Sequence, residues 1–121
     1  MDNHQKTVMI VEDDLILNLL YESYLEKLGY DAEGELVYGK TAIEIAKRIK
    51  PDLILMDISM PIMSGFEATE KIREFNTDIA IFCLSANIFG EDKERAFKSG
   101  MNEFLEKPLR KADFILKINL V

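Results

Sequence analysis

Three short stretches of the chain are almost wholly apolar: Val8–Val11 (VMIV), Leu53–Met56 (LILM) and Ile79–Leu84 (IAIFCL). None alternates polar with apolar residues, so both faces of each must be covered. That is the habit of strands in a parallel sheet with helices on either side. Amphipathic stretches lie between them. Leu15 to Leu28 has apolar positions on more than one face and stops at Gly29. Ala42, Ile43, Ile45, Ala46 and Ile49 form a second helical stripe, closed by Pro51. Phe66–Phe75, Glu91–Lys98 (with Gly100 beyond it) and Arg110–Ile118 predict three more helices. A weak strand is expected over Ala32–Leu36 and a short one over Glu103–Leu105. The order βαβαβαβαβα predicts an α/β fold, a doubly wound five-stranded parallel sheet with right-handed crossovers. Sites in such sheets form beyond the carboxyl ends of the strands.

The residues just past each strand therefore matter most. The first strand delivers Glu12, Asp13 and Asp14, the third Asp57, the fourth Ser85, and the fifth Lys107 followed by Pro108. Clustered carboxylates repel one another unless a proton or a cation neutralises them. Oxygen ligands around a hard cation point to Mg²⁺, which keeps part of its water shell and leaves room for a phosphoryl oxygen. Asp57 would then be a nucleophile that becomes an aspartyl phosphate. Lys107 would neutralise phosphoryl oxygens, and the Ser85 hydroxyl would donate to one of them. Each residue alone has a plainer reading. Asp13 or Asp14 suits a helix cap, Asp57 a loop after a strand, and Lys107 a solvated turn. The argument rests on all of them falling at successive strand ends.

Composition narrows the field. The 121 residues predict one domain over 1–121, and 48% of them are hydrophobic, enough for a substantial core. A formal net charge of −7 argues against direct nucleic-acid binding and against anionic membranes. One cysteine and one histidine exclude a structural zinc site and a disulfide framework, which makes the cytoplasm the expected compartment. The polar start MDNHQKT and the lack of any apolar run near 20 residues predict no membrane insertion. Cys83 and most methionines read as core packing, as does much of the set Ile88, Phe89, Ala96 and Phe97.

One motif competes. GELVYGKT, Gly34 to Thr41, fits the phosphate-loop pattern, and Asp57 after LILM imitates a magnesium-binding strand end. This is the alternative function, a P-loop-like nucleotide-binding protein. A working loop of this kind follows a solid apolar strand and is built of small residues that let backbone N–H groups curl around phosphates. Here the preceding YDAE is a weak strand and the interior ELVY is bulky.

MIVEDD, LILMDISMPIMSGFEATEKIR, LSAN and FLEKPL together resemble the receiver domain of two-component response regulators, over about Lys6 to Ile118. The resemblance implies a flavodoxin-like (βα)5 fold with strand order 2-1-3-4-5. It implies Mg²⁺ held by Glu12, Asp13, Asp57 and the Ser59 backbone carbonyl, with Asp57 as phosphoacceptor beside Ser85 and Lys107. Pro61 and Gly65 match the loop after the phosphoacceptor, and the Lys107–Pro108 bond is implied to be cis. It further implies a switch in which Ser85 moves toward the phosphoryl group and Phe104 swings inward, reshaping the surface of the fourth helix, fifth strand and fifth helix. The resemblance also implies slow self-dephosphorylation, with Asn87 and Ser59 at positions that tune how fast water removes the phosphoryl group. The implied partners are a histidine kinase or histidine phosphotransfer protein upstream, and a protein target or kinase module downstream. The motifs look most like receivers of hybrid sensor histidine kinases. Such a domain supports its own phosphorylation and is not a stand-alone metabolic enzyme.

Overall fold

The computed structural model describes residues 6–33, 39–59, 63–86 and 90–118. Five strands alternate with five helices: β1 (Thr7–Val11), α1 (Leu15–Lys27), β2 (Asp31–Glu33), α2 (Gly39–Ile49), β3 (Leu53–Asp57), α3 (Gly65–Arg73), β4 (Ala80–Ser85), α4 (Gly90–Ser99), β5 (Glu103–Glu106) and α5 (Lys111–Ile118). The strands form one parallel sheet in the order β2-β1-β3-β4-β5, as the resemblance implied.

Strand periodicity divides the apolar runs between two cores. Met9, Val11, Ile54, Met56, Ile81 and Cys83 face one side of the sheet, with Ala42 and Ala46 of α2, Phe66 and Ile72 of α3, and Ala96 of α4. Val8, Ile10, Leu53, Leu55, Phe82 and Leu84 face the other, with Tyr21 and Leu25 of α1 and Phe114 and Ile118 of α5. All five residues of β3 and all six of β4 are buried. This explains their unbroken hydrophobicity, since a central parallel strand has no wet face.

Two expectations are adjusted. β2 is described over Asp31–Glu33, starting one residue before the expected Ala32. Among the described residues it pairs only with β1, in register Thr7↔Asp31 to Met9↔Glu33. An edge strand bonded on one side needs no apolar run, and residues 34–36 of the expected strand lie outside the described residues. In the α4 set, Ala96 is fully buried but Phe97 is 44% exposed, while Ile88 and Phe89 lie outside the described residues. Of the phosphate-loop motif, Gly39 to Thr41 open α2, with Thr41 exposed.

Candidate functional site

Strands β1, β3, β4 and β5 end at one edge. Register places Asp57 beside Leu84, and Ser85 beside Glu106. A backbone bond from Lys107 N–H to Ser85 O, 2.8 Å, extends the pairing to the residue that carries the ammonium. The Lys107–Pro108 bond is cis. Glu12, Asp57 and Ser85 are almost completely buried, while Asp13 and Lys107 are half-buried. Carboxylate oxygens of Glu12, Asp13 and Asp57 lie within 4.8 Å of one another. Lys107 Nζ reaches 2.8 Å from Glu12 Oε2 and 3.2 Å from Asp57 Oδ1. The sheet thus gathers Glu12, Asp13, Asp57 and Lys107 as the sequence predicted, with Ser85 one register step beyond Asp57's partner Leu84 on the neighbouring strand.

Asp14 is sorted from its neighbours by a local rule. Its Oδ1 accepts from Ile16 N–H at 2.9 Å and Leu17 N–H at 3.2 Å, so it is the N-cap of α1. Asp13 is released to face the crevice. The Asp14 backbone N–H donates to Glu12 Oε1 at 3.1 Å, which steadies the Glu12 carboxylate. Ser59 is exposed, and its N–H donates to Asp57 Oδ1 at 3.1 Å. Phe104 is half-buried against the core on the α2–α4 side of the sheet. Asn87 and Pro61 lie outside the described residues.

The electrostatics are unbalanced. Burial pushes Glu12 up to about 7, with nearby Asp57 adding to the rise and Lys107 opposing it. Burial likewise raises Asp57, against the pull of the Ser59 N–H and Lys107. Lys107 is raised, because its contacts with Glu12 and Asp57 outweigh its own burial. A charge held away from water is costly unless it is paired and hydrogen-bonded. Glu12 Oε2 meets the ammonium at ion-pair distance without hydrogen-bond alignment, and Asp57 Oδ2 has no hydrogen-bond partner.

An Asp57 oxygen without a hydrogen bond, beside two further carboxylates, fits a hard divalent cation. The donors are all oxygen, they converge, and one ammonium cannot neutralise three acids. Glu12, Asp13 and Asp57 are the side chains that would hold it.

Three contributors were not singled out from sequence. Asn18, buried on α1, donates from Nδ2 to the Glu12 carbonyl at 3.2 Å. The buried Tyr21 hydroxyl accepts from Leu109 N–H at 3.4 Å. Gly65 packs so closely on the end of β3 that a Cβ there would overlap the Asp57 carbonyl oxygen. No spacing rule reveals the first two, since their partners come from other elements. A polar residue at a buried helical position was the only available sign.

A doubly wound sheet with an acid cluster and a lysine at its carboxyl edge defines a class, and comparison with known proteins agrees. Residues 8–119 match the response regulator receiver domain family. The chain belongs to that family, and is thus a receiver domain of two-component signalling. It is 32% identical over 116 residues to the chemotaxis protein CheY of Thermotoga maritima, covering 96% of this chain and 97% of that protein. It is 39% identical over 114 residues to hybrid signal transduction histidine kinase K of Dictyostelium discoideum, where the match covers 85% of this chain and 9% of the kinase. Among solved structures, the receiver domain of the sensor histidine kinase PA1611 of Pseudomonas aeruginosa superposes with a TM-score of 0.86 at 30% identity, covering 97% of each chain. That domain has a magnesium ion coordinated in its active-site cleft. Among the described residues, no helix is long and apolar enough to cross a membrane.

Proposed function

We propose that this domain is a phosphoacceptor switch, in which Asp57 takes a phosphoryl group from a phosphohistidine of a partner kinase or phosphotransfer protein. The observation that carries the reading is Asp57 itself. It is 1% exposed at the end of β3, within reach of two acids and a lysine, and one of its oxygens has no hydrogen bond. A carboxylate this deprived of water is a better nucleophile than a solvated one, provided that its surroundings keep it ionised.

One carboxylate oxygen attacks phosphorus, the bond from phosphorus to the donor imidazole breaks, and the electron pair leaves with the imidazole nitrogen. The product is an aspartyl phosphate. Glu12, Asp13, Asp57 and the Ser59 carbonyl would hold Mg²⁺, which when bound would supply charge neutralisation for the phosphoryl oxygens. Lys107, already 3.2 Å from Asp57 Oδ1, neutralises another phosphoryl oxygen and trades its contact with Glu12 for one with the incoming group. Ser85 donates its hydroxyl to the same group. That movement opens space beside β5, and half-buried Phe104 fills it, changing the α4–β5–α5 surface that a target protein or kinase module reads. Water slowly removes the phosphoryl group at a pace set by what flanks the crevice.

Intact mass after incubation with acetyl phosphate tests the reading, with and without Mg²⁺, on wild type and Asp57→Asn. A gain of one phosphoryl group that requires both the metal and Asp57 is expected. A gain that survives Asp57→Asn would place the acceptor elsewhere.

A further inference from the structure

The inner face of α1 carries two buried polar side chains one turn apart, and they point to different strands. Asn18 Nδ2 holds the carbonyl of Glu12, just past β1. The Tyr21 hydroxyl takes the N–H of Leu109, just past β5 and 88 residues away in sequence. The two segments they hold carry Glu12 and Lys107, whose side chains meet at 2.8 Å.

Packing alone does not require a hydroxyl at position 21. Tyr21 is fully buried, among Leu25, Leu109 and Phe114 in the α1–α5 core, where phenylalanine would bury the same ring. A buried hydroxyl is costly unless it is bonded. Leu109 is 2% exposed, so its N–H also needs a partner. The turn between β5 and α5 is otherwise short of anchors. Lys107 N–H is tied to Ser85 O at 2.8 Å, Pro108 has no N–H to give, and Glu106 and Pro108 are exposed. The Tyr21 hydroxyl is the fixed point on the far side of Lys107. Burial pushes its pKa up from the usual tyrosine value, so it stays a neutral hydroxyl.

We infer that Tyr21 is a positioning residue for Lys107: by holding Leu109 N–H from beneath, it fixes the turn at the height where the ammonium spans Glu12 and Asp57. Asn18 does the same for Glu12, and α1 becomes the brace that sets the two carriers relative to each other. The role given to Lys107 rests on the phosphoacceptor reading, whereas the positioning itself does not.

Two measurements on the full chain test it. In the first, Tyr21→Phe, Lys107→Ala and the double variant are phosphorylated with acetyl phosphate and Mg²⁺. Tyr21→Phe alone should slow phosphorylation about fivefold, the loss of one ordinary hydrogen bond. In the Lys107→Ala background it should add nothing. An equal slowing in both backgrounds would mean a merely structural effect and overturn the proposal. The second is reductive methylation of lysines at fixed pH, read by peptide mass. Lys107 should react several-fold faster in Tyr21→Phe, while Lys117, paired with Glu103 at 2.9 Å, should keep its wild-type rate. No change at Lys107, or a joint rise at Lys107 and Lys117 from general loosening, would overturn it. If wild type takes no phosphoryl group at all, the phosphoacceptor reading falls. A selective rise at Lys107 then still upholds the positioning.

Discussion

Gly65→Ala perturbs the site without touching any charged residue. Gly65 is the first residue of α3, after the N-cap Ser64, and it lies against the end of β3. A methyl group there would overlap the carbonyl oxygen of Asp57 and stand 2.9 Å from Ile58 Cα and 3.0 Å from Asp57 C. Carbon atoms pack comfortably at about 3.5–4.0 Å, so the methyl is too close to several atoms at once. All of them are backbone, so no rotamer change can relieve the overlap. Either α3 lifts, straining its contacts through Phe66 and Ile72, or the end of β3 shifts and takes Asp57 with it. Overpacking of this kind costs roughly 1–3 kcal/mol. The gain from alanine over glycine in a helix, up to about 1 kcal/mol, is smaller at a first-turn position. The net expectation is a loss of about 1–2 kcal/mol, seen as a drop in Tm of roughly 5–10 °C by circular dichroism. Phosphorylation of Asp57 should also slow, because the displaced backbone carries the acceptor. If Gly65→Ala melts at or above the wild-type temperature, the close approach is not real and the reasoning fails.

Three further predictions rest on other parts of the molecule. Arg73 bonds Gly100 O at 2.9 Å, Asn76 O at 3.2 Å and Asn102 Oδ1 at 2.9 Å, pinning α3 to the turn before β4 and to the segment between α4 and β5. Arg73→Lys should cost about 2 kcal/mol in urea unfolding, since an ammonium cannot reproduce the planar fork; a cost as small as that of Lys71→Ala on the exposed face of α3 would refute this. Lys50 has φ of 48° directly after α2, so Lys50→Gly should stabilise by about 0.5–1 kcal/mol, and a lower Tm would contradict the assigned backbone. The raised carboxyls make metal-free stability depend on pH. Glu12 is protonated more readily folded than unfolded, so its contribution is present below about 4.5 and lost as pH rises through about 7. The loss is roughly 3 kcal/mol at most, Asp57 acts in the same direction, and Glu12→Gln in EDTA should flatten the Tm–pH profile between these values. A profile that rises over that window in wild type would reverse the assignment.

How much of this was legible in sequence depended on whether a residue's role is local. VMIV, LILM and IAIFCL announce β1, β3 and β4 because these strands are buried on both faces and so stay apolar up to their carboxyl ends. β2 is an edge strand, DAE, with too few apolar side chains to fix its limits from pattern. The acids and the lysine could be placed at one edge because chain alternation dictates where strands end. Which of Asp13 and Asp14 caps α1 could not be decided until the Asp14 Oδ1 bonds were seen. Tyr21 was not singled out, because nothing near it in sequence hints at Leu109. Arg73 was equally silent, since its partners Gly100 and Asn102 lie 27 and 29 residues on. Phe97 sits beside buried Ala96 yet is 44% exposed, since neighbouring helical positions point about 100° apart.

Charge counting at the crevice also fixes how many cations it can take. Three carboxylates and one ammonium leave a formal surplus of two negative charges. Lys107 sits closer to Glu12 than to Asp57, 2.8 against 3.2 Å, so much of its charge is already committed to the most deeply buried acid. One dication cancels the remainder, whereas a second would leave a positive surplus among groups largely withdrawn from water, which costs more than it returns. Titration of the metal-free domain with Mg²⁺ should therefore show a single site in calorimetry. The expected companion is a rise in Tm that is larger at pH 8 than at pH 5, because at pH 5 Glu12 holds a proton that the cation must displace. Asp57→Asn and Glu12→Gln should each weaken binding. Two equivalent sites, or a stabilisation that does not grow with pH, would show that the surplus is neutralised by something other than one metal ion.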